Sequence, residues 1–138
     1  PFTRPRLLLL VFVGGMLGTA AREAVVLLTP DSVVPWGILG VNLSGAFLLG
    51  LLVRGIEARR ETPPRRDVRL FVGTGVLGGF TTYSALATDA VLLLETNPVA
   101  GAAYALGSVI AGLACAAAGW TLAARLRPRH PSNGESAA

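Results

Sequence analysis

Four times along this chain about twenty consecutive residues are almost wholly apolar, and that repetition limits the fold more than any other feature. The stretches run from about Leu7 to Leu28, Val33 to Val53, Leu70 to Leu94 and Val99 to Ala124. A helix of about 20 apolar residues crosses the hydrocarbon of a bilayer. A water-soluble core for 138 residues has no use for 52% hydrophobic residues with only 14% charged, where about a quarter charged is usual. The expectation is an all-α membrane protein of four transmembrane helices, one domain over residues 1–126, followed by a polar tail, 127–138, expected to be disordered. The first stretch resembles a signal peptide, but three more follow it and Arg22-Glu23 is an odd cleavage context, so it counts as a span. The chain begins at Pro1 without Met, and its start is expected further upstream.

The breaks between spans carry turn chemistry. Thr29-Pro30-Asp31-Ser32 and Glu95-Thr96-Asn97-Pro98 read as short turns, since a helix stops readily before proline. Arg54–Arg69 reads as a longer polar connection. All 12 basic residues are arginine. Arg4 and Arg6 precede the first span; Arg54, Arg59, Arg60, Arg65, Arg66 and Arg69 lie between the second and third; Arg125, Arg127 and Arg129 follow the fourth. Four spans put those regions on one side of the membrane, and the two opposite loops hold no basic residue. The positive-inside rule then places both termini and the long connection in the cytoplasm, with the chain in the plasma membrane of a bacterial-type cell. The arginines flank spans rather than pave one face, so the net charge of +4 does not point to nucleic acid.

Catalytic signals are missing from the sequence. It has no nucleophile motif, no His/Cys metal cluster and no phosphate loop, and its one histidine, His130, lies in the tail. The single Cys115 sits in an Ala/Gly-rich run as a small packing residue. The chain is not expected to be an enzyme.

Polar groups inside apolar spans are functional candidates by default. Arg22 either snorkels to the interface, pairs with Glu23 or Asp89, or serves a polar pathway. Asn42, near the centre of the second span, either joins helices or offers two N–H donors to an anion. Asp89 is expected as a helix-end or interfacial group. Tyr104, Ser108, Gly112 and Cys115 recur at i, i+4, i+8 and i+11, forming one stripe of the fourth span. Its hydroxyls either line a route for a polar solute or bond to helix carbonyls. Gly14 and Gly18, Gly40, Gly45 and Gly50, and Gly107, Gly112 and Gly119 are expected to let helices approach closely.

The third span is different. Gly73-Thr74-Gly75-Val76-Leu77-Gly78-Gly79-Phe80-Thr81-Thr82-Tyr83-Ser84 holds four glycines and five hydroxyl-bearing side chains. Adjacent Gly78-Gly79 and Thr81-Thr82 point all round a helix and lower the cost of leaving it. Irregular backbone at membrane depth persists only where it is buried in protein or lines a cavity. A break there frees carbonyls for a cation and N–H groups for an anion; the alternative is a regular helix with small residues for packing.

These residues, in this order, resemble the CrcB/Fluc family of fluoride channels from about Leu7 to Ala124. The carriers are Gly14-Gly15-x-x-Gly18 with Arg22, Trp36-Gly37-Ile38-Leu39-Gly40-Val41-Asn42-x-x-Gly45, the run Gly75–Ser84, and Tyr104 with Ser108. The resemblance implies an antiparallel, inverted-topology dimer with two fluoride pathways and a structural Na⁺ on its axis. It assigns the Na⁺ to backbone carbonyls of Gly78 and Thr81. It assigns the fluoride pathway to Asn42, Thr82, Tyr83, Ser84, Tyr104, Ser108 and Arg22. The family usually supplies two Phe, three residues apart, where this chain reads Tyr83-Ser84-Ala85-Leu86, and a Thr where it has Ile38. The arginine bias and the lost pore side chains together suggest a heterodimer with a related subunit of opposite orientation. The alternatives are a small four-helix multidrug/proton antiporter and a non-conducting scaffold subunit.

Overall fold

The structure is a computed structural model that describes residues 4–57 and 60–126. The predicted disordered tail with Arg127, Arg129 and His130, and Arg59 in the connection, lie outside the described residues. Helix α1 spans Pro5–Leu28, α2 Trp36–Glu57, α3 Pro63–Val68, α4 Gly78–Phe80, α5 Tyr83–Thr96 and α6 Pro98–Arg125, with a π-helical segment at Arg69–Leu77 between α3 and α4. Four helical stretches, Pro5–Leu28, Trp36–Glu57, Pro63–Thr96 and Pro98–Arg125, are long and apolar enough to cross a membrane. The protein is a multi-pass membrane protein, as the sequence predicts.

Local chemistry sets the helix ends. Pro5 and Pro98 stand in the first turn of α1 and α6, where a fixed φ helps and the missing N–H is no loss. Asn97 is the only residue between α5 and α6. Its N–H reaches Leu93 O at 2.8 Å and its Oδ1 accepts from Ala100 N at 3.1 Å, so one residue closes one helix and caps the next. Helix α2 begins at Trp36 rather than at Val33 as predicted. Pro35 holds Val34 away from helical geometry. The predicted long polar connection is also shorter: α2 continues to Glu57, and Pro63-Pro64 start α3, which runs on into the third span.

Close approach of backbones assembles the bundle. Helix α2 packs along α6, and α1 packs along the π segment and α4. A Cβ at Gly14 would lie 2.5 Å from Phe71 O, and one at Gly18 2.8 Å from Phe80 N. Gly50 and Gly119 do the same for α2 against α6, where an added Cβ would meet Trp120 N at 3.1 Å or Leu51 N at 3.0 Å. Gly45 leaves room for the Thr81 side chain. Gly40, Gly107 and Gly112, predicted to serve the same purpose, face open space. The third-span glycines divide. Gly75 and Gly79 lie against α1, with Cβ positions 3.0 Å from Val11 O and from Gly15 Cα, while Gly78 meets only Gly73 O at 3.9 Å. Half of the set that the sequence argument excluded from packing is packing glycine, because four residues of spacing return it to one face.

Few large side chains are buried, Val41 and Leu93 among them. Leu27, Leu28 and Val99 are each more than 80% exposed, an arrangement stable only where the surroundings are apolar.

Candidate functional site

The third span leaves helical geometry at Thr81 (φ −77°, ψ 153°) and Thr82 (φ −147°, ψ 119°). The adjacent glycines at 78 and 79 stay helical, so the break lies two residues beyond them. No described residue has a positive φ. The glycines are therefore not required here for left-handed backbone; Gly79 is required because α1 lies against it. Upstream, Arg69–Leu77 is wound as a π-helix, a rare form that is frequent at functional sites.

Each break in a helix frees carbonyls on one side and N–H groups on the other. Here several of them have named partners. Asn42 spans the gap from α2: its Nδ2 donates to Thr82 O at 3.0 Å, and its Oδ1 accepts from Thr82 N at 2.8 Å. The side-chain amide thus takes the place of a neighbouring strand for one peptide. Arg22 Nη1 donates to Gly79 O at 3.3 Å, and Thr19 Oγ1 reaches the same oxygen at 3.4 Å. Leu77 O accepts from Thr81 N at 3.0 Å and from Thr81 Oγ1 at 2.9 Å. On the far side Thr82 caps α5, its Oγ1 accepting from Ala85 N at 3.3 Å. Among the described hydrogen bonds outside regular helix, none uses Gly78 O, Phe80 O or Thr81 O. Asn42, Gly45, Leu77, Gly78 and Thr81 line a cavity of about 260 Å³ beside the break.

The structure decides between several alternatives that the sequence leaves open. Asn42 joins helices, and only one of its two N–H donors remains for an anion. Arg22 pairs with Glu23 at 3.3 Å and with the Gly79 carbonyl, not with Asp89. Asp89 is not a helix-end group: it sits in the middle of α5, half-buried, with an Oδ2 that has no partner among the described residues. Ser108 Oγ donates to Tyr104 O one turn back, so that hydroxyl bonds to its own helix. The buried Tyr104 hydroxyl has no partner among the described residues. Thr82 and Ser84 hydroxyls share one bond at 3.2 Å. Whichever donates, the other keeps a proton for a ligand. Tyr83 is 83% exposed and points away from this chain's own packing.

The predicted site residues therefore form two groups. Asn42, Thr82, Ser84, Gly78, Thr81 and Arg22 meet at the break, with Tyr83 beside them and turned outward. Tyr104 and Ser108 lie on α6, buried with Ala90 and Leu93 of α5 close by. Sequence reasoning missed Thr19, which shares the Gly79 carbonyl with Arg22, and missed that Thr82 serves as both clamp partner and cap. A Thr directly before the α5 hydrophobic pattern is the signal that could have found the cap.

Residues 9–120 match the family described as CrcB-like protein, Camphor Resistance (CrcB). The chain is 46% identical over 124 residues to "Fluoride-specific ion channel FluC 2" of Leifsonia xyli subsp. xyli, covering 88% of this chain and 86% of that one. It is 44% identical over 128 residues to "Fluoride-specific ion channel FluC 1" of Cutibacterium acnes, covering 90% and 87%. It is 42% identical over 106 residues to "Fluoride-specific ion channel FluC" of Rhizobium meliloti, covering 74% and 83%.

Proposed function

The chain belongs to the CrcB family, and from that premise we propose that it is a subunit of a fluoride-selective channel that lets cytoplasmic fluoride leave the cell passively and so relieves its toxicity. The observation that carries the reading is the clamped break: a third span opened at Thr81–Thr82 and held open by Asn42. A chain needing only to span a bilayer has no reason to interrupt a helix there.

Fluoride is small and strongly hydrated, so a pathway must replace its water with donors. The free N–H of Asn42, one proton of the Thr82–Ser84 pair, the Tyr104 hydroxyl and the unused N–H groups of Arg22 supply them. Ser108 joins them by turning its hydroxyl away from Tyr104 O. Tyr83 offers a ring edge, the positive part of an aromatic quadrupole.

The free Gly78 and Thr81 carbonyls fit a structural Na⁺, a cation that unwound transmembrane backbone commonly holds. Bound there, the ion would supply fixed positive charge at the break. Gly78 stands open where an added Cβ meets almost nothing, which suits a carbonyl shared with a second subunit. We place that subunit in inverted orientation across the membrane, with this chain's termini in the cytoplasm. A chain with eleven of its twelve arginines on one side inserts one way round, so its antiparallel partner is a related chain of opposite bias rather than a second copy.

One observation favours a second reading, that of a scaffold subunit with a silent pathway. Asn42 and Ser108 already spend hydrogen bonds on backbone, and Leu86 lacks the ring that the family usually has. An antiporter has less support, since Glu23 is 58% exposed and paired with Arg22 rather than deep in a span. Fluoride and chloride efflux from liposomes separates these readings. Fluoride release by this chain co-reconstituted with its paralogue, with chloride retained, is the expected result. Rapid fluoride release by this chain alone would remove the heterodimer, and none from either preparation would remove the channel.

A further inference from the structure

At the arginine-rich end of the bundle a cavity of about 330 Å³ opens between the start of α1 and the start of α3. Arg4, Arg6 and Arg66 stand around it with Glu61, Thr62 and Asp67. Both carboxylates are already engaged, Asp67 by Arg6 and Glu61 by Arg69 at 2.8 Å. Among the described ion pairs none uses Arg4 or Arg66. The cavity therefore faces two guanidinium groups without a carboxylate, and Thr62 keeps its hydroxyl free of any capping bond. That donor set matches a phosphate, which guanidinium groups bind through paired N–H bonds.

The same cavity reaches the first apolar turn of α1 at Leu7. Beneath it Leu8 and Phe12 are 62% and 65% exposed, and a shallow apolar groove follows α1 along Val11, Phe12, Gly15 and Met16. Leu7, Val11 and Gly15 are four residues apart, so the groove continues the cavity down one side of the helix. Polar recognition above and an apolar track below is the chemistry of an amphiphile, not of a free anion.

We propose that this cavity binds the phosphate headgroup of an anionic membrane phospholipid, with Arg4, Arg66 and the Thr62 hydroxyl on the phosphate and an acyl chain along the α1 groove. The lipid then bridges α1 and α3 beside the Arg6–Asp67 pair, fastening the third span to the first at the membrane surface. The inference rests on the membrane reading alone and is indifferent to which ion the protein conducts.

Native mass spectrometry of the full chain in detergent, titrated with phosphatidylglycerol or phosphatidylcholine, tests it. The double variant Arg4→Gln/Arg66→Gln alters two exposed side chains and leaves the helices intact, which circular dichroism checks. Phosphatidylglycerol is expected to bind in preference to phosphatidylcholine. The double variant should weaken that binding about thirtyfold, the scale set by removing two basic residues from an anionic surface. Arg125→Gln, exposed at the end of α6, should leave it unchanged. Equal binding of the two lipids, an unaffected double variant, or an equal loss in Arg125→Gln would each overturn the site. Displacement of phosphatidylglycerol by millimolar inorganic phosphate would overturn it too, because it would show a free-anion site.

Discussion

Asn42 joins two parts of the chain that are forty residues apart, and it does so with a side chain whose geometry copies a peptide. Its two bonds to Thr82, at 3.0 and 2.8 Å, satisfy the N–H that the broken helix cannot serve and add a second bond to the N-cap carbonyl of α5. In a bilayer no water is at hand to replace them. An unmet buried peptide group costs about 1–3 kcal/mol, so Asn42→Leu, which keeps the volume and removes both bonds, should lower stability by about that amount for the Thr82 N–H it strands. Unfolding in mixed detergent micelles reads it; a wild-type midpoint for Asn42→Leu would dismiss the clamp. Thr82→Val should cost less, about 1 kcal/mol for a lost N-cap, with the backbone clamp retained. The cap had a signal in the sequence, a Thr directly before the α5 pattern; the clamp had none that chose between the two readings of Asn42. The spacing puts Asn42 mid-membrane and marks it as polar, but whether an amide meets a backbone or an anion depends on what stands opposite, and only the packed chain specifies that.

At the scale of elements, contact distances sort the glycines more sharply than their motifs do. In α1, Gly14 meets Gly75, Gly15 meets Gly79, and Gly18 meets Val76 and Phe80 of the third span backbone to backbone, and Gly50 and Gly119 bring α2 onto α6. Substituting Gly18→Ala forces a methyl toward Phe80 N at 2.8 Å and should destabilise by about 1–3 kcal/mol, the usual range for overpacking. Gly40→Ala meets nothing within 4 Å and should be neutral, or slightly stabilising through helix propensity. Thermal unfolding of the two variants side by side checks the distinction, and a pair of equal shifts would contradict it. The GxxxG spacing of Gly14 and Gly18 was enough to predict their use. Gly75 and Gly79 share that spacing but were masked by Gly78 and the paired threonines, and the open face of Gly78 shows only when α1 and α2 are in place. Likewise the π winding of Arg69–Leu77 appears only in the folded chain.

For the molecule as a whole, the arginine asymmetry is the property with the furthest reach. The proposed single orientation rests on it, and it can be checked without any transport assay. With Cys115→Ala as background, a cysteine placed at Ser32 or Asn97, in the two loops without arginine, should react with a membrane-impermeant thiol reagent only from outside intact cells. One placed at Glu61 should react only after the cells are opened. Labelling of all three from outside would mean insertion both ways round, and would favour a homodimer over the proposed pairing. The sequence by itself determined the class, the number of spans and the bias, because each is a sum over twenty or more residues in which no single contact matters. It also determined the family, through residues whose order is specific. The tertiary structure alone decided where the third span opens, which described residues partner the groups freed there, and which polar side chains are spent on backbone. Those are outcomes of distances of about 3 Å between segments far apart in the chain, and a pattern along one strand of sequence holds no such distances.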